Sequence, residues 1–589
     1  MKLDRLIVFV TVILMPFSGF TQTTWKSEHI AITPDNHLVY NPDKEGNILP
    51  DFSKTGFGSG EIPVPDVPSI EIVEPGSGDH RILIQNAIDR VAARPLNNNG
   101  FRGAVLLKKG TYYVNGTLNI TQSGIVIRGE GSGTGGTVVR ETATTQLNLF
   151  NFAGAGSLSR QESTKTAINE DFVPTGRKFV FLSGTSGFKT GDSVLIFRPG
   201  TDNWIHDLKM DQIDAIEGTV QWTASAYNLY FERIITAIEG NKVYLDHPVV
   251  MQMDTKYGGG YLMKYTFKGR IRNCGIENLR MESAYQGDTD ENHGWNAINF
   301  SKVNQGWARN VVSVYFGMGC VTIDSNSRNI SVLDSQCLDA KSVITGSRRY
   351  SFNCDGQLNL FKNCYTTEGR HDYVTGSKTL GPNVFTQCKA RNTHADIGPH
   401  HRWACGTLYD VIDTDGEINV QDRGNWGTGH GWAGVTQVVW NCRSPHTAVQ
   451  SPWVSGFNYC IGLTGGKYAG RFTNRPDGQW EGLNKPGLVP ESLYEAQLKD
   501  RLTTGVQKNI HTNNETLIFP NPSDGRIQIR FTDDEFIFKL FNTEGRLVRE
   551  GKMSGRSAQL DFSELESGTY LMKHISGTNK NTEKLIIRK

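Results

Sequence analysis

Histidines are concentrated in one part of this chain. Five of the 14 histidines lie between positions 371 and 430, in segments that also carry arginine, tyrosine and tryptophan. Because imidazole gains and loses a proton near neutral pH, this density favours general acid–base chemistry. The candidate substrate-binding residues of this stretch are Arg348, Arg370, His371, His394, Arg402, Trp403, Arg423, Trp426 and His430.

The most specific segment is Gly398-Pro399-His400-His401-Arg402. Three adjacent side chains that can carry positive charge repel one another on a turn unless a ligand or a function requires them. We therefore predict that His400 and His401 are catalytic. Repulsion from Arg402 should lower the imidazole pKa and keep the base neutral near pH 7.

Some of these residues also have a plain structural interpretation. A single histidine at the corner of a repeat is usually a hydrogen-bonded structural residue, and His430 fits that description. Arg348 is equally consistent with a solvated corner and with an anion clamp.

Such a set of residues suits β-elimination on a uronic acid. The reaction needs a cation to neutralise the carboxylate, a base for the proton on C5 and an acid for the leaving oxygen. Arginine or Ca²⁺ can neutralise the carboxylate, a neutral histidine or a deprotonated tyrosine can act as the base, and tyrosine can act as the acid. The rings of Trp403, Trp426 and Trp432 could stack on sugars.

Two other functions are compatible with the same residues. A glycoside hydrolase would need two carboxylates about 5 to 9.5 Å apart, for which Asp372, Asp396 and Asp422 are candidates. A non-catalytic glycan-binding surface protein would use the basic and aromatic side chains without turnover, although plain binding does not require so many histidines.

These residues lie within a repeat. Cys364 and Cys388 are 24 residues apart, and another 24 residues lead to Ile412 at the end of a similar apolar segment. Seven or more β-rich units with Asn and Gly at their corners predict a parallel β-helix, in which successive coils stack. Groups one repeat apart become neighbours, so His371 should lie near His394 or Asp396.

The start of the body resembles the N-terminal entry of pectate-lyase-like proteins, which implies a right-handed β-helix. An amphipathic segment at 79–89 predicts a helix that caps the open end, and three glycine-led segments at 103–107, 110–114 and 124–129 predict the first strands. Residues 131–265 break the repeat and predict a small β insertion.

Composition and the two ends of the chain point to export. Sixty-one basic residues balance 60 acidic ones, so no global charge favours nucleic acid or a membrane surface. Residues 1–22 have a basic start and a short apolar run, which is typical of a secretory signal. The nine cysteines mostly close apolar segments, and we expect buried free thiols.

The C-terminal part, 517–589, has short alternating strands between Asn and Gly turns, which predict a small β-sandwich. It resembles the C-terminal sorting domain of type IX secretion substrates of Bacteroidetes. The resemblance implies contact with the secretion machinery and a secreted or cell-surface protein that passes through the periplasm. The polar residues 495–516 predict a linker.

A second resemblance concerns the histidine-rich segments 398–403 and 425–432. They resemble a group of secreted β-helix polysaccharide lyases that includes the fucoidan-type lyases acting on fucoglucuronomannan. The resemblance covers residues 50–495 and implies an acidic polysaccharide substrate and a catalytic histidine pair with a tyrosine. These roles correspond to His400, His401 and Tyr257.

The predicted organisation is therefore a signal peptide, an all-β body and a C-terminal sorting domain. The ranges are 1–22 for the signal peptide, 23–130 for the first coils, 131–265 for the insertion, 266–494 for the catalytic β-helix, 495–516 for the linker and 517–589 for the sorting domain. No second apolar run predicts a membrane span in the mature protein, and a homo-oligomer is compatible with the sequence.

Overall fold

A computed structural model describes residues 24–34, 37–507, 517–519, 523–530, 535–543, 545–554, 557–576 and 579–588. The predicted signal peptide, 1–22, lies outside these residues. These described residues divide into two compact units, one formed within 24–31 and 39–494 and the other formed by the described parts of 32–38 and 495–588. In the described part of the chain, no helix has the length and apolar character needed to cross a membrane.

The first unit is a parallel β-helix, as predicted, with strands in three ladders. Ladder A contains Ser69–Val73, Gly103–Leu107, Ile125–Arg128, Ile271–Ser283, Val303–Val314, Arg328–Leu333, Leu360–Lys362, Leu380–Thr386, Ala404–Asp410, Gly434–Val435, Val438–Trp440, Tyr459–Ile461 and Gln479–Glu481.

The two remaining ladders complete each coil. Ladder B contains Gly110–Val114, Thr137–Glu141, the second halves of Ile271–Ser283 and Val303–Val314, Gln336–Leu338, Tyr365–Thr367, Lys389–Arg391, Asp413–Thr414, the start of Arg443–Val449, and Thr464–Lys467. Ladder C contains Leu118–Ile120, Asn148–Ala153, Asn296–Ser301, Gly319–Ile323, Phe352–Cys354, Tyr373–Thr375, Asp396–Pro399, Glu417–Val420 and the end of Arg443–Val449.

The 24-residue repeat corresponds to one coil. Tyr365 pairs with Lys389, and Lys389 with Asp413, directly after the positions from which the repeat was recognised. Inside the β-helix, aromatic rings of successive coils stack on one another, and the ring centroids of Phe361 and Phe385 are 4.6 Å apart. All nine cysteines are buried and free, as predicted.

The insertion is antiparallel and begins later than predicted. Its strands are Leu158–Arg160, Thr166–Ala167, Phe172–Val173, Phe179–Phe181, Ser193–Arg198, Leu229–Glu239, Lys242–Leu245, Met253–Asp254 and Tyr261–Phe267. The predicted start at 131 is wrong because Thr137–Glu141 and Asn148–Ala153 still belong to ladders B and C. The glycines at 131–136 break the sequence pattern without ending the coil.

The remaining elements are short. The helix expected at the open end spans Arg81–Ala92 and buries Ile84, Ile88 and Val91. Other helices are Asp202–Asp207 and Leu493–Gln507, with single 3₁₀ turns at Phe57–Gly60, Glu162–Thr164, Ala224–Tyr227 and Thr255–Tyr257, and two short strands are Ile30–Ile32 and Leu38–Tyr40. The predicted linker is thus helical as far as Gln507, and 508–516 lie outside the described residues.

The second unit contains the predicted C-terminal sandwich. One sheet has Leu517–Phe519, Arg526–Arg530 and Ser557–Asp561, and the other has Glu535–Phe541, Leu547–Ser554, Gly568–Ser576 and Asn579–Ile587. Its core includes Ile529, Leu540, Phe562, Met572 and Leu585, all of them buried. Along the strands, buried residues alternate with exposed ones, as expected for an antiparallel sheet with one face in the core.

Candidate functional site

Four histidines from three successive coils meet beside ladder C. The ring centroids of His371 and His400 are 4.4 Å apart, and those of His400 and His401 are 5.0 Å apart. His430 lies 5.0 Å from His400 and 4.9 Å from His401. We call these four residues the histidine cluster.

Ladder C explains why they meet. Tyr373–Thr375 pairs with Asp396–Pro399, so His371 precedes one strand and His400 follows the next. The amide of His400 donates to the carbonyl of Thr375 at 2.8 Å, which fixes the turn against the previous coil. The predicted proximity of His371 to Asp396 is confirmed, because Nδ1 of His371 lies 3.0 Å from the Asp396 carbonyl oxygen.

The next coil supplies His430. Arg402 and Trp403 have φ of +54° and +70°, and their amides donate to the carbonyls of His430 and Trp432 at 3.1 and 2.9 Å. Left-handed backbone at two consecutive bulky residues is uncommon and is retained where the surroundings impose it. The turn after His401 is therefore held against the loop that carries His430.

Each histidine has a ring nitrogen without a partner. The buried atoms without a hydrogen bond include Nε2 of His371 and Nδ1 of His400, His401 and His430. A carbonyl only accepts, so Nδ1 of His371 must carry the hydrogen, which leaves its Nε2 as a free acceptor. Unpaired polar atoms at this depth are rare in folded proteins and suggest that a ligand completes them.

The cluster is electrostatically neutral near pH 7. Burial lowers the pKa of His371 to about 4, with Arg370 and Arg423 also opposing protonation. Burial and His430 lower the pKa of His401 to about 3, and the pKa of His430 is lowered to about 4 by burial and Arg423. The pKa of His400 is also lowered, chiefly by burial. The direction of the shift agrees with the prediction, but burial is its main cause, and Arg402 contributes to the lowered pKa of His401 and not to that of His400.

A tyrosine that sequence reasoning did not select completes the group. The ring of Tyr350 lies 4.9 Å from His371 and 5.5 Å from His400, edge to face in both cases. Burial raises the pKa of Tyr350, and Arg370 beside it acts in the opposite direction. Tyr350 precedes His371 by 21 residues, which is close to one coil, so the repeat length could have identified it.

Tyr257, the tyrosine expected from the family resemblance, has other partners. Its hydroxyl donates to Asp207 at 2.8 Å and lies 3.0 Å from Nζ of Lys256. None of the ring contacts among the described residues joins Tyr257 to the histidine cluster. Its neighbours are also occupied, since the hydroxyl of Tyr265 donates to Glu232 at 2.6 Å and the ring of Tyr261 lies under Lys165.

Three of the candidate arginines, Arg370, Arg402 and Arg423, belong to the coils that carry the histidine cluster, whereas Arg348 is bound to a glutamate elsewhere. Nη1 of Arg370 is buried without a partner, and Arg423 forms a short ion pair with Asp396. Arg402 donates to the carbonyl of Thr428 at 3.0 Å, a neutral acceptor. Arg348, in contrast, is held by both oxygens of Glu291 at 2.5 and 2.8 Å.

The prediction that Trp403 and Trp432 stack on sugar rings is wrong, and His394 does not join the other histidines. Trp403 is 0% exposed and Trp432 is 1% exposed, because both pack into the core between the insertion and the β-helix, so neither can stack on a sugar. Trp426, which is 42% exposed, remains available. His394 lies outside the cluster, where Nε2 contacts Glu368 at 2.7 Å.

The carboxylates near the cluster are also occupied. Asp372 is buried and accepts from Ser351 at 2.7 Å and Thr366 at 2.9 Å. Asp422 is paired with Arg475 at 2.7 Å. No group of three or more His, Cys, Asp or Glu side chains in the described ranges is arranged to hold a metal ion.

Comparison with known proteins supports the C-terminal assignment. Residues 517–588 match the model of the secretion system C-terminal sorting domain. This confirms the predicted domain, its contact with the secretion machinery and a secreted or cell-surface location. A comparison with curated protein sequences found no match.

Several solved structures resemble the chain weakly. They include ORF18 of Geobacillus virus E2 (12% identity, 88% of this chain and 77% of that chain, TM-score 0.35). They also include the tailspike protein gp49 from Pseudomonas phage LKA1 (12%, 86% and 91%, TM-score 0.32) and pectate lyase Pel9A (11%, 71% and 80%, TM-score 0.30). Similarity this low does not carry an assignment of activity.

Proposed function

We propose that the chain is a secreted polysaccharide lyase that cleaves a uronic-acid-containing polysaccharide by β-elimination. The observation that carries this proposal is the histidine cluster. It combines neutral imidazoles, each with an unpaired ring nitrogen, with Tyr350 in ring contact and Arg370 beside it. These are the base, the acid and the cation that the reaction requires.

The His400–His401 pair supplies the base. A neutral imidazole nitrogen takes the proton from C5, the electron pair of that C–H bond forms the C4=C5 double bond, and the bond from C4 to the glycosidic oxygen breaks. General base catalysis of this kind contributes about 10²- to 10⁴-fold. His400 is 8% exposed and contacts the other three histidines, so it also positions the pair.

Tyr350 supplies the acid. Burial raises its pKa, so the phenol is protonated at neutral pH and can donate to the departing glycosidic oxygen. The resulting phenolate is stabilised by the Arg370 guanidinium. The imidazolium releases the proton taken from C5 to water and the phenolate takes one up, so both groups return to their starting states. Tyr350 takes over the role that the family resemblance assigned to Tyr257.

Arg370 neutralises the uronate. Its buried Nη1 has no partner, so a carboxylate oxygen placed there would gain a charge-assisted hydrogen bond. Neutralising the carboxylate makes the C5 proton more acidic and stabilises the enolate-like charge that develops in the transition state. Arg423 also has an unpaired nitrogen, Nε, but its charge is already balanced by Asp396, so we assign it to orienting His371 rather than to binding a second anion.

The carboxylates do not favour a glycoside hydrolase. A hydrolase needs one protonated and one ionised carboxylate facing a common cleft. Burial raises the pKa of Asp372 to about 6, as an acid would need, but this side chain is 1% exposed and does not face a cleft. Asp396 and Asp422 are each paired with an arginine. The family resemblance points to a fucoglucuronomannan-like polymer, including sulfated forms, as the substrate.

The reaction type can be read from its product. Purified protein would be incubated with a panel of uronate polymers, and both chain length and ultraviolet absorbance would be followed. A lyase shortens the polymer and creates an unsaturated uronate that absorbs. Shortening without absorbance would show a hydrolase, and binding without shortening would show a glycan-binding protein. A His400→Ala, His401→Ala double variant is the negative control.

A further inference from the structure

The loop between ladder C and the next coil presents the exposed side chain of Trp426. The amide of Arg423 donates to the carbonyl of Gly431 at 2.8 Å, which closes the base of the loop. The amide of His430 donates to the carbonyl of Trp426 at 3.1 Å. These bonds fix the loop backbone between Trp426 and His430, so the exposed indole is carried by the same loop as one member of the histidine cluster.

Arg471 is anchored to this loop from the following coil. Its Nη1 donates to the carbonyl of Arg423 and its Nη2 to Oδ1 of Asn425, both at 2.6 Å. The guanidinium carbon lies 5.0 Å from the centroid of the Trp426 ring. The arginine head is therefore held over one face of the indole, with further N–H donors left over.

The charge of Arg471 is not neutralised by the protein. Both of its hydrogen-bond acceptors are neutral oxygens, and no carboxylate within the described ranges lies at ion-pair distance from it. The two arginines nearest in sequence or space differ in this respect, since Arg423 pairs with Asp396 and Arg475 pairs with Asp422. Arg471 thus keeps a full positive charge next to an exposed aromatic ring.

This combination has the chemistry of a site for a charged sugar. The apolar face of a pyranose ring packs on an indole, and a guanidinium at the ring edge binds a carboxylate or a sulfate ester through paired N–H donors. The position is distinct from that of the reacting sugar, whose carboxylate is assigned to Arg370 on a coil two rungs earlier.

We infer that Trp426 and Arg471 form a second sugar subsite, which selects a polymer carrying an anionic substituent on the sugar next to the reacting uronate. The inference rests on the proposed function for the reacting position. It adds a substrate requirement, namely negative charge on both sugars, and a specificity-determining residue, Arg471.

Three polymers distinguish the sources of that charge. One is a homopolymer of uronate, the second alternates uronate with a sulfated neutral sugar, and the third is the second after chemical desulfation. Arg471→Gln should raise KM about tenfold on the first two, the loss expected for one hydrogen bond to a charged group. Its kcat should stay within about twofold, and its KM on the desulfated polymer should be unchanged.

Two further variants separate charge from loop structure. Arg471→Lys should recover much of the lost affinity, because the cation is retained. Arg348→Gln, which removes an arginine paired with Glu291, should leave all three KM values unchanged. An equal rise in KM on all three polymers, or a fall in kcat with Arg471→Gln, would show that Arg471 only supports the loop and would overturn the inference.

Failure of the proposed function would look different. If the native protein cleaves none of the three polymers, their binding is measured by calorimetric titration of the full chain and of the Arg471→Gln protein. Weaker binding of the two anionic-neighbour polymers by the variant supports the subsite even without turnover. Equal binding by both proteins refutes it.

Discussion

Two buried polar groups of the β-helix unit have opposite character. Around Glu232, where the insertion meets the coils, the carboxylate is fully paired. Around His400, the buried rings face one another and retain unpaired nitrogens. Both groups lie deep in the protein and both combine charged and aromatic side chains, so burial alone does not distinguish them.

The carboxylate of Glu232 is closed, although Nε of Arg270 beside it has no partner. Arg270 donates to both carboxylate oxygens at 2.8 and 2.9 Å, Arg328 donates at 3.1 Å and the hydroxyl of Tyr265 donates at 2.6 Å. Burial alone would raise the pKa of Glu232, but the bonds from Arg270 and the charge of Arg328 lower it to about 2. These contacts join strand Leu229–Glu239 to strand Arg328–Leu333 and leave no oxygen for a ligand.

The histidine cluster is open. A half-satisfied polar group costs stability, because each buried unpaired atom has lost its water. Such a cost persists in a folded protein where the group serves a ligand or a reaction. Single unpaired atoms also occur elsewhere, for example Nε of Arg233 and Nδ1 of His247. The histidine cluster differs because four such atoms belong to side chains in mutual ring contact, whereas the central carboxylate of the other group is fully paired.

The largest effect should come from removing members of the open group. His400→Ala, His401→Ala and Tyr350→Phe should each lower kcat by about two orders of magnitude or more, as expected for loss of the base or acid. Folding should survive, since these side chains make few stabilising bonds. His394→Ala, whose imidazole pairs with Glu368, is the matched control and should retain activity. Full activity in both histidine variants would contradict the assignment.

Breaking the closed group should affect stability instead. Glu232→Gln leaves Arg270 and Arg328 buried without their counter-ion, and removal of one partner of a buried ion pair costs about 3–5 kcal/mol. Denaturant unfolding followed by tryptophan fluorescence should show the loss in the transition that includes the insertion. The folded fraction should keep its kcat. A lowered kcat with unchanged stability would mean that the Glu232 group takes part in the reaction.

Arg370 and Arg348 test the same contrast in pairs. Arg370→Gln should lower kcat, raise KM for an anionic polymer about tenfold and make KM less sensitive to salt, because it loses both the contact to the uronate and the stabilisation of the developing charge. Arg348→Gln should change KM little, since Glu291 already occupies that guanidinium. Steady-state rates at low and high salt measure both. Equal effects would show that Arg348 leaves Glu291 and binds substrate.

The pH dependence should reveal the buried imidazoles. A free histidine would be protonated below about pH 6.5, but the pKa values of His401 and His430 are lowered to about 3 and about 4. The base should therefore stay neutral well below pH 6. The value of kcat/KM should fall only as the pH approaches the lowered pKa values of about 3 and about 4. An acid limb near pH 6.5 would show that the cluster is hydrated when the substrate binds.

The same shift makes the fold sensitive to acid. The unfolded chain binds protons at His371 with an ordinary pKa, whereas the folded protein holds that pKa at about 4. Between about pH 6.5 and 4 the unfolded state binds more protons, so the free energy of unfolding should fall as pH falls through this window. In His371→Asn, this dependence should be weaker. Asp372, whose pKa burial raises to about 6, contributes in the opposite direction and is common to both proteins.

The sequence predicted the scaffold better than the site. Coils repeat every 24 residues around Cys364, Cys388 and Ile412, so local pattern was enough to predict the β-helix and the approach of His371 to Asp396. The burial of Trp403 could not be predicted, since it depends on the insertion packing against a coil distant in sequence. Tyr350 is a different case, since its spacing of 21 residues from His371 is close to one coil and was overlooked because the family resemblance pointed to Tyr257.

The smallest effect should come from Tyr257→Phe, and it is the sharpest test of the distinction between closed and open groups. The hydroxyl of Tyr257 donates to Asp207 and contacts Lys256, and Lys256 itself pairs with Asp207 at 2.7 Å. Since Lys256 and Asp207 are partly exposed, the remaining pair stays intact and water can replace the lost hydroxyl, so kcat should change by less than about threefold. Tyr350→Phe in the same assay provides the contrast. If Tyr257→Phe abolishes turnover while Tyr350→Phe does not, Tyr257 is the catalytic tyrosine even though its hydroxyl is already hydrogen-bonded.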